Sequence, residues 1–429
     1  MKLPPFIKNN LILKITSLNS LVVGIRLLIS LLIQNILAQY TGQAGIAKVG
    51  QIRNLSNILM STSSLGVFNG VVKYVSEYKN NQPGLLKLFS TVFVFSTIAS
   101  GFLSIFMLLF ANNLSQWLFF TQDYSLVFKL MAVVVPFIAM NRIFNGVING
   151  ISAYKTYAKI EIIWYILASL LLTVSLYFYN ISGVLMAIAI TPIIQFFVLL
   201  FIFGKTLKDY IKFSKLSFKT PMFKVLLGFT IISFVATVCS NFVEINFRTL
   251  ISNRISENEA GVWTAMSSIS KIYMQFLLII FSIYILPKYT EIQFSDAFKK
   301  EIKSLYKTLL PLVSVGMLVV YLSREFLILT IYNEAFIGMA ILFKWQLLAD
   351  FIRFVANILS FKFLAKSQIN YFISTQILGL ISYYIFGRFL IVNYGVEGLL
   401  MAFFFSNLLY FAVVLFVMRI DLFGNNRPL

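Results

Sequence analysis

The stretch GKTLKDYIKFSKLSFKTPMFK, from Gly204 to Lys224, lies near the midpoint of the chain and divides it into two halves. It carries six lysines, whereas the sequence on either side consists mainly of long apolar runs. Six such runs precede this basic connection and six follow it. The pattern therefore predicts two bundles of six helices, covering residues 1–210 and 211–429.

The composition is that of a protein that crosses a membrane many times. Of 429 residues, 59% are hydrophobic and only 12% are charged, against about a quarter charged in soluble domains. The apolar runs do not alternate and reach the roughly 20 residues of one helical span. We expect an all-α polytopic membrane protein with twelve spans, near 11–39, 44–74, 85–111, 125–151, 158–180, 183–204, 222–252, 260–287, 304–322, 335–364, 370–392 and 396–418.

The net charge of +20 follows the positive-inside pattern of membrane proteins. With the N-terminus in the cytoplasm, 22 Lys and Arg residues fall in cytoplasmic segments and 3 in outer ones. This bias predicts that both termini are cytoplasmic and makes a nucleic-acid partner unnecessary. The absence of histidine and the single Cys239 exclude a His-ligated metal site and an intrachain disulfide. No cofactor is expected.

A weak internal repeat supports the two halves. The tripeptide at 44–46, AGI, recurs as AGV at 260–262, and the same offset of 216 residues carries Lys87 to Lys303. Both halves then enter the membrane from the same side. Parallel repeats of this kind are typical of transporters.

Ten basic residues remain within the predicted spans, where a charge costs about 2.5–3.5 kcal/mol near the bilayer centre. Several lie on polar helix faces, as in the row Gln346, Asp350, Arg353 and Asn357. Such aligned rows favour a cavity lining. In-helix pairing of Glu244 with Arg248, and of Asp350 with Arg353, is an equally open interpretation. The ten are Arg26, Arg53, Lys73, Lys129, Arg142, Arg248, Lys271, Lys344, Arg353 and Arg388.

The cations without an acid nearby in the sequence indicate what the cavity holds. They are Arg26, Arg53, Arg142 and Lys271. A surplus of cations implies an anionic occupant, and arginine favours phosphate through its planar fork of donors. Spacing and charge therefore predict a transporter for a large or lipidic anion.

The second apolar segment ends in GVFNGVVKYVSEYKNN, from Gly66 to Asn81, which carries a polar stripe. Gly66 and Gly70 are expected to allow close helix packing. Asn69 is expected to face the cavity, and Lys73 to lie at its cytoplasmic mouth.

Three blocks of this sequence resemble the Wzx-type flippases of the multidrug/oligosaccharidyl-lipid/polysaccharide (MOP) exporter superfamily. The first is GVFNGVVKYVSEYKNN with AGIAKVGQIRNLS before it. The second is AGVWTAMSSISKIYMQF followed by FSIYILPKY, and the third is FKWQLLADFIR running to FLAKS. They occur in the right order and span nearly the whole chain.

The resemblance implies a two-bundle fold of twelve helices around a central cationic cavity. The implied substrate is an oligosaccharide on undecaprenyl pyrophosphate, moved across the bacterial inner membrane, and a polymerase and chain-length regulator are the implied partners. Lys271 departs from the acidic residue of the common-antigen flippases, which favours an O-antigen unit. Similar sequences carry the same residue at Arg53, Lys73, Arg248, Asp350 and Lys366.

The mechanism expected is alternating access without a covalent step, so the chain is not expected to be an enzyme. Substrate binding is assigned to Arg26, Arg53, Asn69, Lys73, Arg142, Arg248, Lys271 and Arg353. Glu244 and Asp350 are the candidate acids for coupling to H⁺ or Na⁺. A multidrug exporter of the same superfamily, or a membrane glycosyltransferase or polymerase, is the alternative.

Overall fold

The structure is a computed structural model that describes residues 11–425, with side chains described for residues 22–281 and 284–425. The terminal residues whose cytoplasmic position is expected lie outside these ranges. The described part is helical. Its α-helices are α1 Leu11–Thr62, α2 Phe68–Glu77, α3 Gln82–Leu109, α4 Ala111–Phe119, α5 Ser125–Gly150, α6 Tyr154–Tyr210, α7 Phe223–Ser233, α8 Ser240–Arg254, α9 Glu257–Ile280, α10 Leu286–Glu291, α11 Ser295–Leu322, α12 Arg324–Ile331, α13 Phe343–Ala365, α14 Ile369–Val417 and α15 Arg419–Phe423.

Short segments of other helical types join several of these elements. A π-helix at Phe234–Cys239 links α7 to α8, and another at Phe281–Ile285 links α9 to α10. A 3₁₀ segment, Glu334–Leu342, precedes α13. The two π-helices keep the helices on either side of them continuous, and the 3₁₀ segment runs directly into α13.

Local sequence determines where helices begin and bend. Asn81 caps α3 by accepting a hydrogen bond from the Gly84 amide, and Ser256 caps α9 in the same way through Glu259. The longest helices are interrupted by single non-helical residues, at Gly42 in α1, Asn180 in α6 and Gly395 in α14.

The apolar surface of the described helices is that of a membrane protein. Phe102, Leu109, Phe201 and Phe389 are each more than two-thirds exposed. Soluble monomers rarely expose so much contiguous apolar surface, so lipid is the solvent that fits it. Among the described residues, eight helical stretches are long and apolar enough to cross a bilayer. The all-α membrane fold is therefore confirmed, while the count of twelve spans stays a prediction.

The chain forms two compact units. The first runs to Thr41 and continues over Lys48–Ile245, and the second comprises Gly42–Ala47 and the chain from Asn246 onward. The kink at Gly42 lies where the chain passes from one unit to the other. The predicted bundle boundary after residue 210 stays a prediction.

Helix α5 is the central element of the first unit, where it packs against α2, α3, α4 and α6. Its apolar side chains, such as Phe144 and Val147, belong to a core shared with α2 and α3. Its opposite face carries the polar residues of the site described below.

Helix α13 has the corresponding central place in the second unit, in contact with α9, α10, α11 and α14. Near its end the Lys362 ammonium forms an ion pair with the Asp421 carboxylate of α15. These two side chains are only 3% and 8% exposed. The pair therefore fixes the C-terminal helix against the core.

Candidate functional site

A cavity of about 250 Å³ lies within the first unit, between α1, α2, α5 and α6. Its polar lining residues are Arg26, Ser56, Asn141, Arg142, Asn145, Asn149, Tyr157, Glu161, Trp164 and Gln195. Two of the cations predicted to bind substrate, Arg26 and Arg142, thus line one cavity.

Glu161 organises one wall of this cavity. Its Oε2 accepts a hydrogen bond from Arg26 Nη1 at 2.6 Å, and its Oε1 accepts one from Trp164 Nε1 at 3.0 Å. Gln195 Nε2 lies 3.5 Å from the same Oε1. Arg26 has no acid nearby in the sequence, but Glu161 lies 135 residues further along the chain and the fold brings it near.

Arg142 is the cation of the cavity whose charge is not balanced. Its guanidinium lies over the Phe68 ring, 4.1 Å from the ring centroid. Its buried Nε has no hydrogen-bond partner, and among the described residues no carboxylate forms an ion pair with it. A guanidinium kept apart from acids in a polar cavity is suited to receive an anion.

Three asparagines on α5 form a row along the cavity, Asn141, Asn145 and Asn149, spaced four residues apart. Asn141 is 4% exposed, and its Nδ2 donates to the Pro192 carbonyl oxygen at 2.7 Å. The buried side-chain oxygens of Asn141 and Asn145 receive no hydrogen bond from the protein. Sequence reasoning missed this row, although its i, i+4, i+8 spacing within an apolar helix could have revealed it.

The other residues of the first unit that were predicted to bind substrate or a coupling ion do not line this cavity. Asn69 and Lys73 are exposed, and Lys73 Nζ lies 5.2 Å from the Tyr74 ring centroid. Arg53 is half-buried on α1. Glu244 Oε2 accepts a hydrogen bond from Asn54 Nδ2 at 3.0 Å, which joins α8 to α1.

The close packing predicted at Gly66 and Gly70 is confirmed. A Cβ at Gly66 would lie 2.5 Å from Ser233 Cβ, and one at Gly70 would lie 2.7 Å from Leu226 Cδ2. Both glycines therefore allow the start of α2 to approach α7.

In the second unit the predicted cations occupy different environments. Arg248 is 2% exposed, donates from Nε to Thr264 Oγ1 at 2.7 Å and lies 5.3 Å from the Trp263 ring centroid. Lys271 and Arg353 are exposed, and the Arg353 guanidinium lies 5.9 Å from the Phe403 ring centroid. Arg248 thus joins α8 to α9.

Asp350 is enclosed by neutral donors. Its Oδ2 accepts hydrogen bonds from Ser270 Oγ at 2.6 Å, from Gln346 Nε2 at 2.9 Å and from the Tyr273 hydroxyl. Among the described residues no ion pair forms between Asp350 and Arg353, so the in-helix pairing considered for them is not made. The carboxylate instead joins α9 to α13.

The cavity of the first unit has the composition of a binding site. It offers an unbalanced guanidinium, amide groups and the aromatic rings of Tyr157 and Trp164. Among the described residues no group of three or more Cys, Asp and Glu side chains could hold a metal ion. The lining groups that are present can contact a ligand through charge, hydrogen bonds and packing.

Comparison with curated proteins gives close-to-full-length relatives. The chain is 27% identical over 386 residues to a protein named Lipid III flippase from Escherichia coli (strain K12), covering 89% of this chain and 92% of the relative. The protein of the same name from Shigella flexneri matches equally well. No family model matches the sequence.

Solved structures establish the fold. An inward-facing multidrug resistance MATE family transporter of the MOP superfamily superposes with a TM-score of 0.73 at 15% identity, covering 92% of this chain and 94% of that one. The lipid II flippase MurJ, in an inward closed conformation, gives 0.73 at 15% identity, with 93% and 87% covered. The chain therefore has the fold of MOP-superfamily transporters, and its resemblance to flippases is confirmed over 89% of its length.

Proposed function

We propose that this chain is a flippase that translocates lipid-linked oligosaccharide units across the membrane. Its full-length relatives are named Lipid III flippase, and the lipid II flippase MurJ shares its fold. Transport, rather than bond making or breaking, is the activity that these relatives support.

The observation that carries the proposal is the unbalanced charge of Arg142. A lipid-linked saccharide joined through pyrophosphate presents an anionic group between its sugars and its lipid tail. The Arg142 guanidinium supplies charge-assisted donors for that group, in a cavity whose other cation is balanced by Glu161. The tail stays in the bilayer while the headgroup enters the protein.

The finer assignment follows the sequence resemblance. In this proposal the lipid is undecaprenyl pyrophosphate, the saccharide is an O-antigen repeat unit, and the protein lies in the bacterial inner membrane with both termini cytoplasmic. The unit moves from the cytoplasmic to the periplasmic leaflet by alternating access, ahead of a polymerase and a chain-length regulator. The other substrate-binding assignments, Arg26, Arg53, Asn69, Lys73, Arg248, Lys271 and Arg353, belong to the same proposal.

Coupling to an ion gradient is a separate part of the proposal. Glu244 and Asp350 are the carboxylates assigned to H⁺ or Na⁺ coupling. Both accept hydrogen bonds between two helices, Glu244 from α1 and Asp350 from α9. Protonation or ion binding at either carboxylate would change those helix contacts, which gives a physical route from ion to conformation.

The fold alone also fits a multidrug exporter, because a MATE family transporter superposes as well as MurJ does. The cavity argues against organic cations as cargo. Its one carboxylate, Glu161, is already engaged by Arg26, while the Arg142 charge would repel a cationic drug.

The proposal is tested in cells that lack this chain. Lipids are extracted, and the total accumulated lipid-linked oligosaccharide is measured by mass spectrometry after complementation with wild type, Arg142→Ala, Arg142→Lys or Arg388→Ala. Arg388 is an exposed arginine of α14 outside the cavity and serves as the matched control.

We expect wild type and Arg388→Ala to prevent accumulation, Arg142→Ala to allow it, and Arg142→Lys to give an intermediate level because lysine keeps the charge but loses the fork. Normal translocation in cells without the chain, or accumulation of no lipid-linked saccharide, would reject the flippase function.

A further inference from the structure

The cavity of the first unit presents two chemically different surfaces. Arg142 presents a positive charge and N–H hydrogen-bond donors. The asparagine row, Asn141, Asn145 and Asn149, presents side-chain oxygens that accept hydrogen bonds. An ionised phosphate carries acceptors only and cannot donate to an amide oxygen. The row is therefore suited to a second kind of group, one that brings O–H or N–H donors.

Asn141 gives the clearest example of an unpaired acceptor in this row. Its Nδ2 is used by the Pro192 carbonyl oxygen at 2.7 Å, which fixes the amide so that Oδ1 is the free end. That oxygen is buried and receives no hydrogen bond from the protein. Buried polar atoms of folded proteins are ordinarily paired, so an exception in a cavity wall points to a ligand.

The neighbouring Asn145 extends the same acceptor surface by one helical turn. Its side-chain oxygen is also buried without a partner. Asn149 Nδ2 donates to the Asn145 main-chain oxygen at 2.8 Å, a contact that leaves the Asn145 side chain unused. Two adjacent acceptors on one helix face match a ligand with several hydroxyl groups.

Aromatic rings complete the surroundings of the row. Trp164 lines the cavity with its Nε1 held by Glu161 at 3.0 Å, and Tyr157 lies one turn before Glu161 on α6. Aromatic faces offer large, rigid apolar area on which the C–H faces of a pyranose ring can pack. A sugar ring has hydroxyl donors at its edge and apolar C–H groups on its faces, so it matches both the asparagine oxygens and the aromatic rings.

We propose that the asparagine row is a sugar subsite that reads the saccharide nearest to the pyrophosphate, next to Arg142. This inference rests on the proposed flippase function and specifies which part of the headgroup each wall receives. The cavity volume of about 250 Å³ leaves room for a fragment of the headgroup rather than a whole oligosaccharide.

The test compares lipids with and without a sugar. The full-length protein in nanodiscs is titrated with undecaprenyl pyrophosphate and with undecaprenyl pyrophosphates that carry one hexose or one N-acetylhexosamine. Binding is measured for wild type, Asn145→Ala, Asn141→Leu and Arg142→Gln. Asn113→Ala, at an exposed asparagine of α4, is the control, and thermal melting checks folding.

Wild type is expected to bind at least one sugar-bearing lipid more tightly than the bare lipid. Asn145→Ala should remove that preference, weakening the sugar-bearing lipid by about 3- to 10-fold, the range of one or two neutral hydrogen bonds. It should leave the bare lipid unchanged. Because none of the described residues forms a hydrogen bond with the Asn145 side chain, an unchanged melting temperature together with this loss would assign the effect to the ligand.

The outcomes separate the subsite from the flippase function. The subsite would be overturned if wild type bound no sugar-bearing lipid more tightly than the bare lipid. It would also be overturned if Asn145→Ala and Asn141→Leu lost affinity equally for bare and sugar-bearing lipids. Neither result would contradict the flippase function. Failure of wild type to bind any of these lipids would count against the flippase proposal and, with it, the subsite.

Discussion

The Arg26 guanidinium and the Glu161 carboxylate are joined at 2.6 Å between Nη1 and Oε2, which ties α1 to α6 at the wall of the cavity. Glu161 is buried with 4% of its side chain exposed, whereas the Arg26 side chain is 37% exposed. The pair therefore places one balanced charge beside the unbalanced charge of Arg142.

Removal of one partner should cost more than removal of both. Arg26→Gln leaves the Glu161 carboxylate buried without its cation, so the loss should lie between the ~0.2–1 kcal/mol of exposed pairs and the ~3–5 kcal/mol of broken buried pairs. Arg26→Gln with Glu161→Gln should recover part of that loss. A double-mutant cycle of thermal unfolding in detergent measures the coupling, and additive effects would show that the pair contributes nothing.

Loss of the Arg248–Thr264 hydrogen bond should cost more stability than loss of the Arg142 side chain. Arg248 donates to Thr264 Oγ1 at 2.7 Å, so Thr264→Val should lower the free energy of unfolding by about 1.5–3 kcal/mol, the value of a hydrogen bond to a charged group. Among the described residues none forms a hydrogen bond or an ion pair with Arg142, which lies over the Phe68 ring, so Arg142→Ala should melt closer to wild type while losing transport. Melting curves of Thr264→Val and Arg142→Ala measure the two losses of stability, and equal destabilisation of both variants would contradict the prediction.

The Lys362–Asp421 pair should be structural. Both side chains are nearly fully buried, so Asp421→Ala removes the carboxylate of a buried ion pair and should destabilise the protein by about 3–5 kcal/mol. Asp296→Ala is the matched control, because Asp296 forms a half-exposed pair with Lys299 at 2.9 Å, of a class worth about 0.2–1 kcal/mol. Similar melting temperatures for the two variants would refute the assignment.

Gly66 should not tolerate a side chain. Its φ of 64° is unfavourable for other residues, and a Cβ would lie 2.5 Å from Ser233 Cβ, so Gly66→Ala should cost about 1–3 kcal/mol. A Cβ at Gly101 in α3 meets nothing within 4 Å. Gly101→Ala should leave the melting temperature unchanged or raise it, and the reverse order would be inconsistent with the packing described.

The sequence predicted the features that depend on the residue pattern of a single helix. Long apolar runs predicted an all-α membrane protein, and the spacing of Gly66 and Gly70 predicted close helix packing, although not that α7 is the partner. Three sequence blocks indicated the resemblance to flippases, and the chain has the fold of the transporters to which those flippases are related.

Partnerships between distant residues could not be predicted in the same way. Glu161 lies 135 residues from Arg26, and Asp350 is satisfied by Ser270 and Tyr273 of another helix rather than by the nearby Arg353. Side-chain spacing along one helix says which residues share a face, but the packing of helices determines what that face meets. The positions of charged residues do not indicate the asparagine row, because amides carry no net charge.

The most direct test of the flippase account is translocation in a purified system. Proteoliposomes contain this chain and a fluorescent undecaprenyl-pyrophosphoryl saccharide. An enzyme added outside the liposomes modifies only the lipid in the outer leaflet, so the rate at which inner-leaflet lipid becomes accessible to that enzyme measures translocation. Wild type should move the lipid well above protein-free liposomes, and Arg142→Ala should be slower by about tenfold or more, the effect of losing a charge-assisted hydrogen bond. A wild-type rate no higher than that of protein-free liposomes would contradict the account.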